Sequence, residues 1–308
     1  MRWQVSQPLG QFDNQSILDL TRFCAYEKAN LGRAERNGIC VMAYADASLT
    51  RRGFGQTMRP DAWWVQPVLV FLGLSTFIVY STWAAFQGAH YRYGSYLSPF
   101  YSPELFGDPM HSWFGAKPGW WPMGIPFSPA FLILWAPAGF RLTCYYYRGA
   151  YYKAFWADPP SCTVAEPRKA YRGENSFPLI MQNIHRYFLY FALIFLVFLA
   201  HDVWKAMWFT DVTTTKVSFG IGVGTLVLAL NVAFLAGYTL GCHSLRHLVG
   251  GGIDRLSAAP LCQKTYGCVS CLNRRHMVWA WMSLFWVGFS DLYVRLCAMG
   301  VWHDWRIV

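Results

Sequence analysis

Charge is what this chain lacks. Only 14% of its 308 residues are Asp, Glu, Lys or Arg, and just 16 are acidic, whereas ordinary soluble domains carry about 25% charge. With 55% hydrophobic residues, a disordered or collagen-like chain is excluded, and so are the one or two soluble domains that the length alone would allow. A cleavable leader is missing too, since Met1–Gly10 is polar and has no apolar h-region. No G-x-G-x-x-G follows a strand-like run, so a dinucleotide has no usual seat. Internal repeats, which secondary transporters usually show, are also absent.

Aromatic residues are abundant: 16 Trp, 18 Tyr and 23 Phe make up 19% of the chain. The 26 Lys and Arg leave a net charge of +10. In a soluble protein that excess would suggest nucleic acid; in a membrane protein it marks the loops on the cytoplasmic side.

A membrane-crossing helix needs about 20 mostly apolar residues. Five stretches meet that test, at about 64–86, 127–146, 185–205, 217–240 and 277–299. The second contains Pro129, Pro137 and Arg141, which predicts a kinked helix packed against protein at its inner end. The fourth is rich in small residues that let neighbouring helices approach closely, with Asn231 as its main polar interruption. With the N-terminus inside, 18 Lys and Arg fall in inner segments and six in outer ones, as the positive-inside rule requires. The expected fold is therefore all-α, an integral membrane bundle of five transmembrane helices with a cytoplasmic N-terminus, an outside C-terminus and no nucleic-acid partner. Residues 58–308 form that domain. Residues 1–57, with six aromatics, read either as a cytoplasmic extension or as sequence upstream of a start at Met42 or Met58.

Cysteine and histidine are concentrated. Four of the nine cysteines and three of the eight histidines lie between Cys242 and His276, near the cytoplasmic face. That compartment is reducing, so metal ligation or redox chemistry is favoured over disulfides. His243 and His247 are spaced i, i+4 and share a helix face. His185 opens span three and His276 opens span five, which brings imidazoles from three helix ends to one depth. Cys242 adjoins His243, while Cys268 and Cys271 form a C-x-x-C before His276. The candidate metal ligands are His185, Cys242, His243, His247, Cys271 and His276, with Cys268 as an alternative thiol. Two His with two Cys is the donor set of a Rieske [2Fe–2S] centre; zinc would accept it, and the histidines alone could ligate haem iron. Cys262 reads as a free thiol, and Cys24, Cys40, Cys144, Cys162 and Cys297 as structural or incidental. His201-Asp202 and the i, i+4 pair Asp291 and Arg295 lie inside spans, where ionisable residues are functional candidates by default; a structural salt bridge and a proton path both suit the second pair. His90 and His111 fall in an outer loop, and Tyr96–Pro129 reads as an ordered cap.

The stretches Phe140-Arg-Leu-Thr-Cys-Tyr-Tyr-Tyr-Arg148, Asp158-Pro-Pro-Ser-Cys162, Glu166-Pro-Arg-Lys169, Gln182-Asn-Ile-His-Arg-Tyr-Phe188, Cys242-His-Ser-Leu-Arg-His247 and Asp291-Leu-Tyr-Val-Arg295, in this order, resemble those of the long single-chain membrane anchors of bacterial succinate dehydrogenase or fumarate reductase, the form found in mycobacteria. The resemblance covers roughly 60–305. It implies a multi-pass subunit of the bacterial cytoplasmic membrane, non-catalytic alone, that passes electrons from an iron–sulfur subunit, itself fed by a flavoprotein subunit, to menaquinone or another quinone. It leaves the prosthetic group open between a b-type haem and a Rieske-like [2Fe–2S] cluster; Leu245 stands where some relatives carry a second cysteine. Arg186, Tyr187, Arg246, Trp279 and Trp281 are the candidate quinone-binding residues. The basic inner segments 148–172 and 246–275 would dock the soluble subunits, and the whole complex could form a higher oligomer. The alternatives are a quinone-linked b cytochrome of another oxidoreductase and a proton-coupled transporter component.

Overall fold

The computed structural model describes residues 53–108, 112–168, 176–177, 179–210, 216–251 and 259–308. The chain divides into two compact units, Met1–Thr57 and Met58–Val308, and every helix described below belongs to the second. Cys24, Cys40, Met42, His111, Lys169, Arg172 and Arg255 lie outside the described residues.

The first long helix, α1 (Val65–Gln87), contains no charged residue. It ends at Gly88, whose φ of 56° is left-handed and whose Cβ, if it had one, would sit 3.0 Å from the Phe127 carbonyl oxygen, so conformation and space both require glycine. A two-residue antiparallel hairpin follows, β1 (Arg92–Tyr93) with β2 (Tyr96–Leu97). The cap beyond it is ordered by buried polar groups. The Tyr101 hydroxyl donates to the Ala84 carbonyl at 2.7 Å, and Glu104 accepts from Tyr91 Oη, Arg92 Nη2 and the Asp108 N–H.

The second expected span departs from a single helix. It consists of α2 (Ala130–Ile133) and α3 (Trp135–Leu142), four and eight residues long, followed after an extended residue by α4 (Tyr145–Ala154). Pro137 cannot donate to the Ile133 carbonyl and its ring crowds it, which places the interruption at Leu134. The other helices are α5 (His185–Lys205), entered through a 3-10 turn at Leu179–Ile184, α6 (Val223–Leu240), α7 (His243–Gly250), α8 (Pro260–Asn273) and α9 (His276–Ala298). Among the described residues, four helices are long and apolar enough to cross a membrane: Val65–Gln87, Ile180–Lys205, Val223–Leu240 and His276–Ala298. The second expected span, read from sequence as one kinked helix, is instead the broken segment α2–α3. The fourth span also starts later than expected. Val217–Phe219 is a strand, β4, paired with β3 (Trp208–Thr210). Helix α6 begins only where the Asp304 carboxylate accepts from the Gly224 N–H at 2.8 Å and from the Tyr293 and Tyr96 hydroxyls, satisfying an otherwise orphaned donor of the first turn.

Contacts along the helices fix their directions. Gly73 of α1 faces Trp281 and Tyr80 donates to Asp291 at 2.6 Å, so α1 runs parallel to α9. Ala206, just past α5, accepts from Thr225 at the start of α6, and Gly237 near the end of α6 faces Trp279. Helix α6 is therefore antiparallel to both α5 and α9. Gly139 lies against Phe188, while Ala130 packs in one cluster with Ala84 and Tyr101, so α2–α3 runs opposite to α1 and α5. One end of the bundle thus gathers the starts of α1, α5 and α9 with the ends of α3 and α6.

Candidate functional site

That shared end places two kinds of residue at two kinds of position. His185 and His276 are the first residues of α5 and α9. Cys144 and Cys242 each occupy the extended residue at which one helix stops and the next begins, at φ −65°, ψ 130° before α4 and φ −67°, ψ 140° before α7. An extended residue between two helices turns its side chain out of the helical stacking. Here both thiols point into the space that the histidines close. His185 Nε2 lies 3.1 Å from Cys242 Sγ, and His276 Nε2 lies 3.6 Å from Cys144 Sγ. Cys144, Cys242 and His185 are buried, and His276 is half-buried.

Second contacts hold each ring. His185 Nδ1 is 2.8 Å from Thr143 Oγ1, and its ring stacks on Phe140 with centroids 4.7 Å apart. The His276 ring stacks on Tyr238 at 5.0 Å. Burial pushes the Cys242 thiol up to about 11, so without a cation beside it the group stays neutral. Burial, His247 and Arg246 hold the His243 imidazole below its usual range.

Phe140 and Tyr238 also form walls of a neighbouring cavity of about 150 Å³ between α3, α5, α6 and the turn at Pro99–Phe100. Most of its lining is apolar. The polar residues at its near end are Arg141, Tyr238 and Thr239. The Arg141 guanidinium lies 4.9 Å from the Tyr238 ring centroid and donates to Tyr147 Oη at 3.0 Å and Ser283 Oγ at 3.0 Å. Among the described residues, His276 Nδ1 and Trp279 Nε1 are buried polar atoms of this region with no hydrogen-bond partner, and the Tyr238 hydroxyl has only the Cys144 thiol beside it. Buried groups of this kind are normally satisfied, and their clustering around the two histidines and the cavity is what a site for a bound group looks like.

The donor set sorts the groups that could occupy it. Among the described residues, no three His, Cys, Asp or Glu side chains converge on one coordination point, which speaks against a closed four-ligand zinc site. A bis-histidine haem would need two imidazole nitrogens aimed at one iron across a ring-sized gap, whereas here each Nε2 lies beside a thiol. Two thiols and two imidazoles at this one end are the donor set of a two-iron cluster, which asks for four protein ligands in all.

Of the residues singled out from sequence, His185, Cys242 and His276 are brought together. His243 and His247 are exposed and pair with each other instead, and Cys268 and Cys271 are exposed on α8. The fourth member is Cys144, which by sequence alone reads as structural or incidental; the available signal was its place at the inner end of the second span, at the depth of the histidines. None of the expected quinone-binding residues lines the cavity. Arg186 and Tyr187 are exposed on α5. Arg246 donates to Tyr266 Oη at 2.9 Å, Trp281 to Tyr146 Oη at 2.6 Å, and Trp279 packs against Gly237.

At the far end, Asp291 is paired with Arg295 at 3.2 Å, both almost fully buried. Asp291 also accepts from Tyr80 and Ser98, and Arg295 donates to the Ala89 carbonyl at 2.8 Å. Every charge is matched, which makes the pair a structural brace rather than a proton relay. Asp202 accepts from Ser102.

A family model for the actinobacterial succinate dehydrogenase subunit SdhC matches residues 65–300. A chain of a solved structure, the Mycobacterium smegmatis Sdh1 complex in the apo form, is 41% identical, and the match covers 85% of this chain and 98% of that one with a TM-score of 0.74. No curated protein matches.

Proposed function

The chain belongs to the actinobacterial SdhC family, the membrane-anchor subunits of succinate dehydrogenase, and from that premise we propose that it carries electrons from an iron–sulfur partner subunit, supplied by a flavoprotein, to a menaquinone-class quinone in the bacterial cytoplasmic membrane. The observation that carries this reading is the pair of shared walls: Phe140 and Tyr238 each touch a histidine of the Cys/His set on one face and the apolar cavity on the other. Cys144, Cys242, His185 and His276 would hold a [2Fe–2S] cluster, which when bound supplies a one-electron carrier at the depth of the quinone ring. Quinone reduction takes up two electrons and two protons. The cavity offers apolar walls for the ring and, at its near end, the Arg141 guanidinium and the Tyr238 hydroxyl as donors to a quinone oxygen.

Five crossings with the N-terminus inside fit the alternating directions of α1, α2–α3, α5, α6 and α9. The Cys/His end then faces the cytoplasm, where the basic segments 148–172 and 246–275 meet the soluble subunits. In this reading residues 1–57 are a cytoplasmic extension of the anchor.

The test is His185→Ala in the purified complex. Succinate oxidation by a soluble dye should persist while quinone reduction is lost. Unchanged quinone reduction would overturn the assignment.

A further inference from the structure

Helix α7 carries two imidazoles that the buried set does not use. His243 and His247 are exposed, one turn apart, with Nε2 atoms facing each other at 2.9 Å and rings nearly perpendicular, 86° at a centroid separation of 4.4 Å. Two nitrogens this close are either bridged by a shared proton or ready to be bridged by a cation. A metal bound to both at about 2.0–2.1 Å would see them at an angle of about 90°. That angle matches two adjacent positions of a tetragonal or octahedral ion, whereas a tetrahedral ion would need the nitrogens about 3.3 Å apart. The helix fixes the spacing before any ion arrives, and the edge of the Tyr145 ring supports the His243 ring with centroids 6.1 Å apart.

We propose that His243 and His247 form a two-imidazole chelate for a divalent transition ion of the nickel or cobalt class, separate from the buried Cys/His set and completed by water. It does not depend on the quinone assignment. Exposed Cys268 and Cys271 on α8 are the competing soft donors. They would bind through sulfur, which gives cobalt a thiolate charge-transfer absorption that imidazole and water ligands do not produce.

The probe is Ni²⁺ in equilibrium dialysis against the purified whole complex, followed by Co²⁺ absorption spectra. Wild type should bind one Ni²⁺ more per copy of this chain than His247→Ala. Removing a direct ligand should weaken the site at least as much as the roughly 10–100-fold lost when an outer partner of a ligand is removed. A Cys268→Ser, Cys271→Ser double variant should retain the site, and the Co²⁺ form should lack thiolate charge transfer. Equal Ni²⁺ binding by wild type and His247→Ala would overturn the proposal. So would loss of the ion in the double cysteine variant, or no Ni²⁺ bound by wild type.

Discussion

Cys144 is where the chemistry of single side chains is most exposed to test. Its sulfur sits beside His276 and is buried, while Cys162, in the segment after α4, is exposed. Cys144→Ser should abolish electron transfer to quinone and leave dye-linked succinate oxidation intact, whereas Cys162→Ser should change neither; equal effects from the two would remove the special role of Cys144. Alkylation reads the same contrast. In metal-free protein at mildly alkaline pH, the exposed Cys162, Cys268 and Cys271 should be labelled and Cys242 spared, because burial raises its thiol to about 11. Raising the pH towards that value should bring Cys242 into reaction, as measured by peptide mass spectrometry. Sequence spacing made His185, Cys242 and His276 legible because each stands at a visible edge of an apolar run. Cys144 was hidden because the broken helix placed it at a junction that hydropathy does not mark.

At the scale of helices, close approach replaces bulk hydrophobicity as the organising force, since lipid tails are as apolar as leucine. Gly139 is the tightest example: a Cβ there would lie 2.2 Å from the Phe188 ring. Gly139→Leu should cost about 1–3 kcal/mol by overpacking and separate α3 from α5, seen as a lower unfolding temperature of the detergent-solubilised complex. The brace at the far end works by charge. Asp291→Asn leaves the Arg295 guanidinium buried without its counter-charge and should cost about 3–5 kcal/mol, whereas replacing both residues by leucine should be far milder; thermal unfolding distinguishes the two. Four long helices could be read from composition because each is a long, mostly apolar run. The second span could not be drawn correctly, since Pro137 signals a disturbance without saying whether the helix bends or stops. The pairing of β3 with β4 was missed because Val217 and Phe219 read as the start of the apolar run of span four. Helix α8 was missed because its polar composition reads as a loop.

Across the whole molecule, the opposed directions of successive helices turn a charge count into a geometry. The near end carries the Cys/His set and the far end carries the Asp291–Arg295 brace and the capped start of α6. If the near end faces the cytoplasm, a reporter fused after Val308 should be active only in its periplasmic form; a cytoplasmic signal would reverse the topology. The quinone-binding residues illustrate what no linear pattern could supply. Arg186, Tyr187, Arg246, Trp279 and Trp281 do not line the cavity, whose walls include Arg141 and Tyr238, because depth along the bundle leaves the face of each helix undetermined.

The central claim is that two thiols and two imidazoles, one from each of four helix junctions, hold an iron–sulfur cluster in the membrane subunit. Electron paramagnetic resonance of the reduced purified complex tests it most directly, with a pyridine haemochrome assay on the same sample. The account predicts a [2Fe–2S] signal with nitrogen hyperfine coupling, additional to the clusters of the soluble subunit, that disappears in Cys144→Ser, together with no b-type haem. A stoichiometric b-haem spectrum, with no signal sensitive to Cys144, would contradict it.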